Sequence, residues 1–259
     1  MRNLETTFFH SKTALRFLED YAIRLGKPLI IIFGLGSANG SRTGASPLAE
    51  MMENLTKKPN ISVITCMGNE ANNKCHYKGT VMSALVPDVM EINVDGTGKG
   101  FTMEIWADSL DILSVSIESP SGEYVPRIPA RMGASMEYTF LYEGSTVTVD
   151  YQITENVAGM EVIFVRLKTP VEGTWKFYIY SLTNIKGSYN AWLPLKQFSG
   201  QDIYFLKSDP DTTLTVPAAA DGVISVGAYN HYTGAAYYES GRGYSADGRI
   251  KPDFVAPGA

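Results

Sequence analysis

The feature that most limits the fold is a series of short runs, between residues 87 and 205, in which apolar and polar residues alternate. β-branched and aromatic residues dominate these runs, and glycine-rich or proline-containing turns separate them. This pattern predicts antiparallel strands that bury one face, and helical periodicity is absent. The runs are Met90–Val94, Phe101–Trp106, Leu113–Ser119, Met136–Tyr142, Thr146–Ile153, Glu161–Leu167, Trp175–Leu182 and Tyr189–Leu193. Many short strands at even spacing predict a β-sandwich, with a jelly roll as the expected form.

The segments on either side follow a different pattern. Leu29–Phe33, Val63–Cys66 and Val223–Val226 are strand-sized and strongly apolar, which is typical of parallel strands covered by helices on both faces. Between the first two, Pro47–Lys57 has apolar residues at the spacing of a one-faced amphipathic helix.

These two patterns predict an α/β fold class interrupted by an all-β insertion. Residues 1–82 and 208–259 are predicted to form a partial α/β domain with a parallel sheet. Residues 83–207 are predicted to form the inserted β-sandwich, or jelly roll. That the α/β domain is partial is implied by the family resemblance set out below, and bare apolar surface with self-association through it is expected on that basis.

Composition excludes several classes of protein. The 259 residues are 44% hydrophobic and 19% charged, which is ordinary for a globular chain. The formal net charge of −5 argues against a nucleic-acid partner and against binding to an anionic membrane. No apolar stretch approaches membrane-spanning length, and the first residues lack the apolar core of a signal peptide. Cys66 and Cys75 are too few for a disulfide scaffold, and whether they bridge is left open.

Four segments carry a family resemblance. Lys27–Gly36 runs from an apolar strand into a glycine-rich edge, and Asn60–Glu70 ends in Gly-Asn-Glu. Gly222–Tyr229 reads Gly-Val-Ile-Ser-Val-Gly-Ala-Tyr, and Gly243–Gly258 ends in Lys-Pro-Asp-Phe-Val-Ala-Pro-Gly. In this order they resemble the subtilisin-like serine peptidases (subtilases). The predicted insert, with Gly-Thr-Trp-Lys-Phe-Tyr-Ile-Tyr at Gly173–Tyr180, resembles a β-domain carried by clostridial spore-germination subtilases.

The resemblance implies a serine endopeptidase that acts on a peptide or protein substrate. Asn69 then corresponds to the side-chain donor of the oxyanion hole, and Gly68 allows the sharp turn before it. The edge that pairs with the substrate backbone corresponds to Gly34, Leu35, Gly36 and Ser37, although the family usually has serine in place of Gly34. No cofactor is evident in the sequence itself, and the resemblance alone allows for calcium. A bacterial secreted or spore-associated location is implied in the same way, and the sequence itself leaves the compartment unknown.

Simpler interpretations of these glycines remain. Gly68 and Asn69 could form an ordinary turn. Gly34, Gly36 and Gly40 weakly resemble a dinucleotide-binding fingerprint, but the spacing is one residue too long and the next helix begins too late.

The segment Lys251-Pro252-Asp253 is interpreted as scaffold, with Asp253 accepting backbone hydrogen bonds.

The catalytic triad is not recognised in this sequence. His10, His76 and His231 all lack the motif of a subtilase base, and no Gly-Thr-Ser nucleophile motif is present. The three histidines and two cysteines have no metal-ligand spacing, so no metal site is predicted. We therefore expect part of an endopeptidase that is inactive alone. The alternative is a pseudoprotease or binding module whose β-sandwich recognises a protein or glycan partner.

Overall fold

The computed structural model describes residues 2–96, 98–108, 110–131, 133–154, 159–199 and 202–258, with side chains described from residue 10 onwards except at 153 and 154. Its helices are α1 (Arg2–Leu25), α2 (Pro47–Thr56) and α3 (Lys196–Ser199), and a 3₁₀ turn covers Val216–Ala219. The strands are β1 (Leu29–Phe33), β2 (Ile61–Cys66), β3 (His76–Thr80), β4 (Asp88–Asp95), β5 (Gly100–Asp108), β6 (Leu113–Glu118), β7 (Tyr124–Ile128), β8 (Ser135–Thr139), β9 (Thr146–Thr154), β10 (Met160–Lys168), β11 (Gly173–Ser181), β12 (Ser188–Trp192), β13 (Asp202–Phe205), β14 (Ile224–Tyr229) and β15 (Phe254–Pro257). Within the described ranges, no helix is long and apolar enough to cross a membrane.

The chain divides into two compact units. The first unit contains Met1–Asn69 and Leu214–Ala259, and the second contains Glu70–Thr213.

The first unit is built on one small parallel sheet with the strand order β1-β2-β14-β15. Helix α2 begins where the Ser46 hydroxyl accepts a hydrogen bond from the Ala49 amide, with Pro47 in the first helical turn. Its apolar side packs with side chains of α1, β1 and β2. This core contains Leu15, Ile31, Leu48, Ala49, Met52, Leu55, Val63, Ala220 and Val223. The amphipathic helix is therefore positioned by burial of one face against the sheet.

The second unit contains two antiparallel sheets. Their strand orders are β3-β12-β5-β10-β9-β8 and β13-β4-β11-β6-β7. One hydrophobic core includes buried side chains from both sheets, among them Trp175, Phe177, Ile163 and Val165. Along β4 and β11 every second side chain is buried, which explains the alternation of apolar and polar residues in their sequences.

The predicted fold class, an α/β parallel-sheet domain interrupted by a jelly-roll sandwich, is wrong for this chain. The fold is mostly β with antiparallel sheets, and it is not the α/β core of a subtilisin. Among the described residues, parallel pairing is confined to four of the fifteen strands. Ile31 is buried, whereas its neighbours Ile30 and Ile32 are 68% and 79% exposed. The apolar β1 is thus covered on one face. Side chains of α1 and α2 pack in one core with Ile31, and Ile30 and Ile32 stay exposed.

The predicted domain boundaries, at residues 82/83 and 207/208, stay a prediction. A compact unit is defined by packing, whereas a domain has to fold when it is excised. Strand β3 lies before the predicted boundary at 82/83, but it pairs with β12 of the second unit. His76 lies opposite Trp192 and Thr80 lies opposite Ser188.

Candidate functional site at the carboxyl ends of the parallel strands

The predicted site residues follow two neighbouring strands of the parallel sheet. β1 and β2 pair in parallel up to Phe33 and Thr65, and β2 also pairs with β14. Parallel strands bring their carboxyl ends to one edge, which is where open sheets of this kind bind ligands. The segments 34–37 and 67–69 therefore emerge side by side from this edge.

The segment after β1 presents open backbone. Gly34 and Leu35 are exposed, and a Cβ built on Gly34 would have nothing within 4 Å. The Ser37 carbonyl accepts a hydrogen bond of 3.0 Å from the Val216 amide, and its hydroxyl accepts one of 3.0 Å from the Asn39 amide. The segment is thus anchored at Ser37 and accessible at Gly34, and β1 is an edge strand of the sheet.

The turn after β2 is held from both sides by backbone hydrogen bonds. The Met67 carbonyl accepts from the Thr215 amide at 3.0 Å, and the Gly68 carbonyl accepts from the Gly241 amide at 2.7 Å. Gly68 has a φ of +85°, which favours glycine, and Asn69 follows it on the surface. The main chain around Asn69 is therefore fixed, although the side chain is exposed.

A residue that the sequence analysis missed lies between these two segments. The Thr215 methyl group, Cγ2, is 2.4 Å from the place where a Cβ on Gly36 would lie, and 2.5 Å from the corresponding place on Gly68. Its hydroxyl donates a hydrogen bond of 3.1 Å to the Cys66 carbonyl. Thr215 thus fills the space between the ends of β1 and β2. A side chain at position 36 or 68 would collide with it, which explains why both residues are glycine. The two glycines are the sole signal in the sequence, and they do not indicate which side chain lies between them.

The Lys-Pro-Asp segment contacts the sheet from one side. The Asp253 carboxylate accepts hydrogen bonds from the Ser225 amide at 2.7 Å, the Ser225 hydroxyl at 2.8 Å and Lys251 Nζ at 2.8 Å. Partial burial raises the pKa of Asp253, but the hydrogen bonds from Lys251 and Ser225 outweigh it and hold that pKa below its ordinary value. These contacts fix the segment before β15, as the scaffold interpretation expects.

The three histidines differ in burial: two are exposed and one is fully buried. His10 is exposed on α1, and His231 is exposed and close to the ring of Tyr232, with the centroids 3.8 Å apart. His76 is fully buried in the second unit and stacks on Trp192, with the ring centroids 4.9 Å apart. Its nitrogens lie 3.2 Å from the Asp209 carbonyl and 3.0 Å from Asn190 Oδ1. His76 therefore belongs to a packed core.

Cys66 and Cys75 are both free thiols. In the part of the chain that the structure describes, no group of three or more histidine, cysteine, aspartate or glutamate side chains is arranged to hold a metal ion.

Comparisons with known proteins support the family resemblance. Residues 171–259 match the model of the subtilase family. The structure is similar to that of the Clostridium perfringens CspB protease, with a TM-score of 0.83 and 26% sequence identity. The match covers 95% of this chain and 52% of that one, so this chain spans about half the length of that relative. No curated protein matches the sequence. The resemblance to subtilases drawn from the sequence motifs is thereby confirmed, and these similarities support a subtilisin-like peptidase.

Proposed function

We propose that this chain is the part of a subtilisin-like serine endopeptidase that binds the substrate backbone and stabilises the oxyanion. The backbone at Gly34–Ser37 would pair with an extended peptide, as in other cases of binding by strand addition. The Asn69 amide group would donate a hydrogen bond to the carbonyl oxygen of the bond to be cleaved.

The observation that carries this proposal is the adjacency of the two strand ends. Because β1 and β2 are neighbours in a parallel sheet, a peptide added along Gly34–Ser37 has its backbone close to the turn at Gly68 and Asn69. The hydrogen bonds of Met67 and Gly68 to residues 215 and 241 hold that turn without help from the substrate. This suits the proposed role, because oxyanion stabilisation is strongest when little reorganisation is needed as charge develops, and here the main chain that carries Asn69 is held in advance.

The amide of asparagine suits this role chemically. It is neutral and does not titrate, so it stabilises the negative oxygen over a wide range of pH. Its contribution in acyl transfer is commonly about 10²–10³ in rate. Hydrolysis also needs a nucleophile that adds to the carbonyl carbon and a base that takes the nucleophile's proton.

We propose that the aspartate, histidine and serine of the triad lie outside these 259 residues. A fluorophosphonate probe, which reacts with activated serine, tests this directly. We expect labelling at one serine in a longer protein that contains this span, and no labelling of the 259-residue chain. Stoichiometric labelling of the 259-residue chain at one serine would contradict the missing triad, and failure of the longer protein to react would contradict the peptidase.

A second candidate function is binding of a glycan by the second unit. Tyr124 and Tyr178 pack edge to face with centroids 5.8 Å apart, and the Arg127 guanidinium lies 4.7 Å from the Tyr180 ring centre. Partly exposed rings beside a cation offer stacking and hydrogen-bonding groups for sugars. Affinity electrophoresis in soluble polysaccharides tests this candidate. Retardation that Tyr124→Ala abolishes would favour it, and unchanged mobility in every polysaccharide would exclude it for the polymers used.

A further inference from the structure

We propose that Thr215 restricts the substrate of this site to peptides with glycine or alanine on the acyl side of the cleaved bond. This inference rests on the proposed function, because it takes the substrate edge at Gly34–Ser37 and the oxyanion donor at Asn69 as given.

The binding mode places one substrate residue between the two strand ends. That residue has its backbone beside Gly36 and its carbonyl oxygen at Asn69. Its side chain then has two possible positions, the space between the ends of β1 and β2 or the solvent. Selectivity for size arises only in the first case, since solvent accepts any side chain.

The space between the strand ends is already filled. The Thr215 methyl group would lie 2.4 Å and 2.5 Å from Cβ atoms built on Gly36 and Gly68, whereas carbon atoms in contact are about 3.5–4.0 Å apart. The Thr215 Cβ and Oγ1 would also lie 2.6 Å and 2.8 Å from the Cβ on Gly36, so the whole side chain fills the space beside Gly36. Beside Gly68 the methyl group makes the close approach, because the Thr215 Cβ lies 3.8 Å away. A large side chain of the substrate would have to displace Thr215.

Thr215 is held firmly in this position. It is 3% exposed, its hydroxyl donates to the Cys66 carbonyl, and its amide donates to the Met67 carbonyl. The hydroxyl bond fixes the rotamer, and the methyl group is thereby directed at the two glycines. The side chain therefore closes the space as part of the folded structure.

The matched variants are Thr215→Ser and Thr215→Val. Serine keeps the hydroxyl that bonds to Cys66 and removes the methyl group, so it opens the part of the space beside Gly68. Valine keeps both branches of the side chain and loses only the hydrogen bond, so it leaves the space closed. Thr215→Ala serves as a second opening variant, and amide spectra of all variants show whether they fold.

The experiment measures binding of two acetylated tetrapeptides by the 259-residue chain, identical except for alanine or phenylalanine at the carboxyl end. We expect the alanine peptide to shift the amide resonances of Gly36, Gly68 and Asn69 in the wild-type chain, and the phenylalanine peptide to bind at least about 10-fold more weakly. Thr215→Ser or Thr215→Ala should reduce that difference by about 10-fold or more, and Thr215→Val should keep it.

Three results distinguish this inference from the proposed function. Equal binding of both peptides by the wild-type chain, at those same amides, would overturn the role of Thr215 and leave the substrate edge supported. An unchanged preference in folded Thr215→Ser and Thr215→Ala would do the same. If no peptide shifts those amides in any variant, the substrate edge is wrong and both proposals fall.

Discussion

Glu161 accepts a hydrogen bond from the backbone amide of Leu113, with its Oε2 2.9 Å from the nitrogen. Glu161 belongs to β10 and Leu113 begins β6, so this bond joins the two sheets of the second unit. The Glu161 side chain is buried, and its second oxygen has no hydrogen-bond partner among the described residues. Burial raises the pKa of Glu161 to about 7, an effect that the Leu113 bond opposes and the Asp111 charge reinforces.

We therefore predict that the stability of the protein falls as the pH rises toward neutrality. The pKa of Glu161 is higher in the folded than in the unfolded state, so the folded state binds the proton more tightly between about pH 4.5 and pH 7. The associated stabilisation is fully present below the unfolded-state pKa and is lost as the pH rises through the folded-state pKa. The loss at about pH 8 is about 3 kcal/mol.

Glu161→Gln tests this prediction because glutamine keeps an acceptor for Leu113 and does not titrate. We expect urea unfolding from about pH 5 to about pH 8 to show that the free energy of unfolding depends less on pH in the variant than in wild type. At about pH 8 the variant should be the more stable of the two. Glu172→Gln, at an exposed position, is the control and should follow wild type. Parallel curves for wild type and Glu161→Gln would contradict the prediction.

Gly36 and Gly34 should respond differently to the same change. Gly36→Ala places a Cβ 2.4 Å from the Thr215 methyl group, and we expect a loss of about 1–3 kcal/mol in the free energy of unfolding because the site is overpacked. Gly34→Ala meets nothing within 4 Å and should change stability by less than about 0.5 kcal/mol. Chemical denaturation of both variants is the measurement, and equal losses would show that Thr215 does not occupy this space.

Asn69→Ala should reduce catalysis without weakening substrate binding. In a longer, active protein that contains this span, we expect kcat to fall by about 10²–10³ and KM to stay nearly unchanged. The reason is that the hydrogen bond to the oxyanion forms mainly in the transition state. Steady-state kinetics on one peptide substrate are the measurement. A raised KM with unchanged kcat would instead make Asn69 a ground-state binding or structural residue.

The 259-residue chain should self-associate through the first unit. Ile30 and Ile32 expose apolar surface on β1, which is also an open edge of the sheet. We expect light scattering to report a dimer or larger assembly, and the double variant Ile30→Thr, Ile32→Thr to reduce it. An excised segment of residues 70–213, which keeps β3 on its sheet, should stay monomeric and fold. A strictly monomeric 259-residue chain would show that this face does not drive association.

The fold-class prediction failed because an apolar run does not show how many of its faces are covered. Leu29–Phe33 is apolar throughout, which fits a strand buried on both sides as well as one that leaves Ile30 and Ile32 exposed. Which of these occurs depends on the other elements that pack against the strand, and that information is not local.

The sequence by itself determined the features that depend on neighbouring residues. Alternation indicated the antiparallel strands, and helical periodicity indicated α2. The order of the Gly-Asn-Glu and Lys-Pro-Asp segments indicated the subtilase resemblance. The tertiary structure alone decided that His76 is buried, that Glu161 lies between two sheets, and that Thr215 separates Gly36 from Gly68. The physical reason is that periodicity is set along the chain, whereas the space between two strand ends is filled by whichever distant side chain the packing brings there.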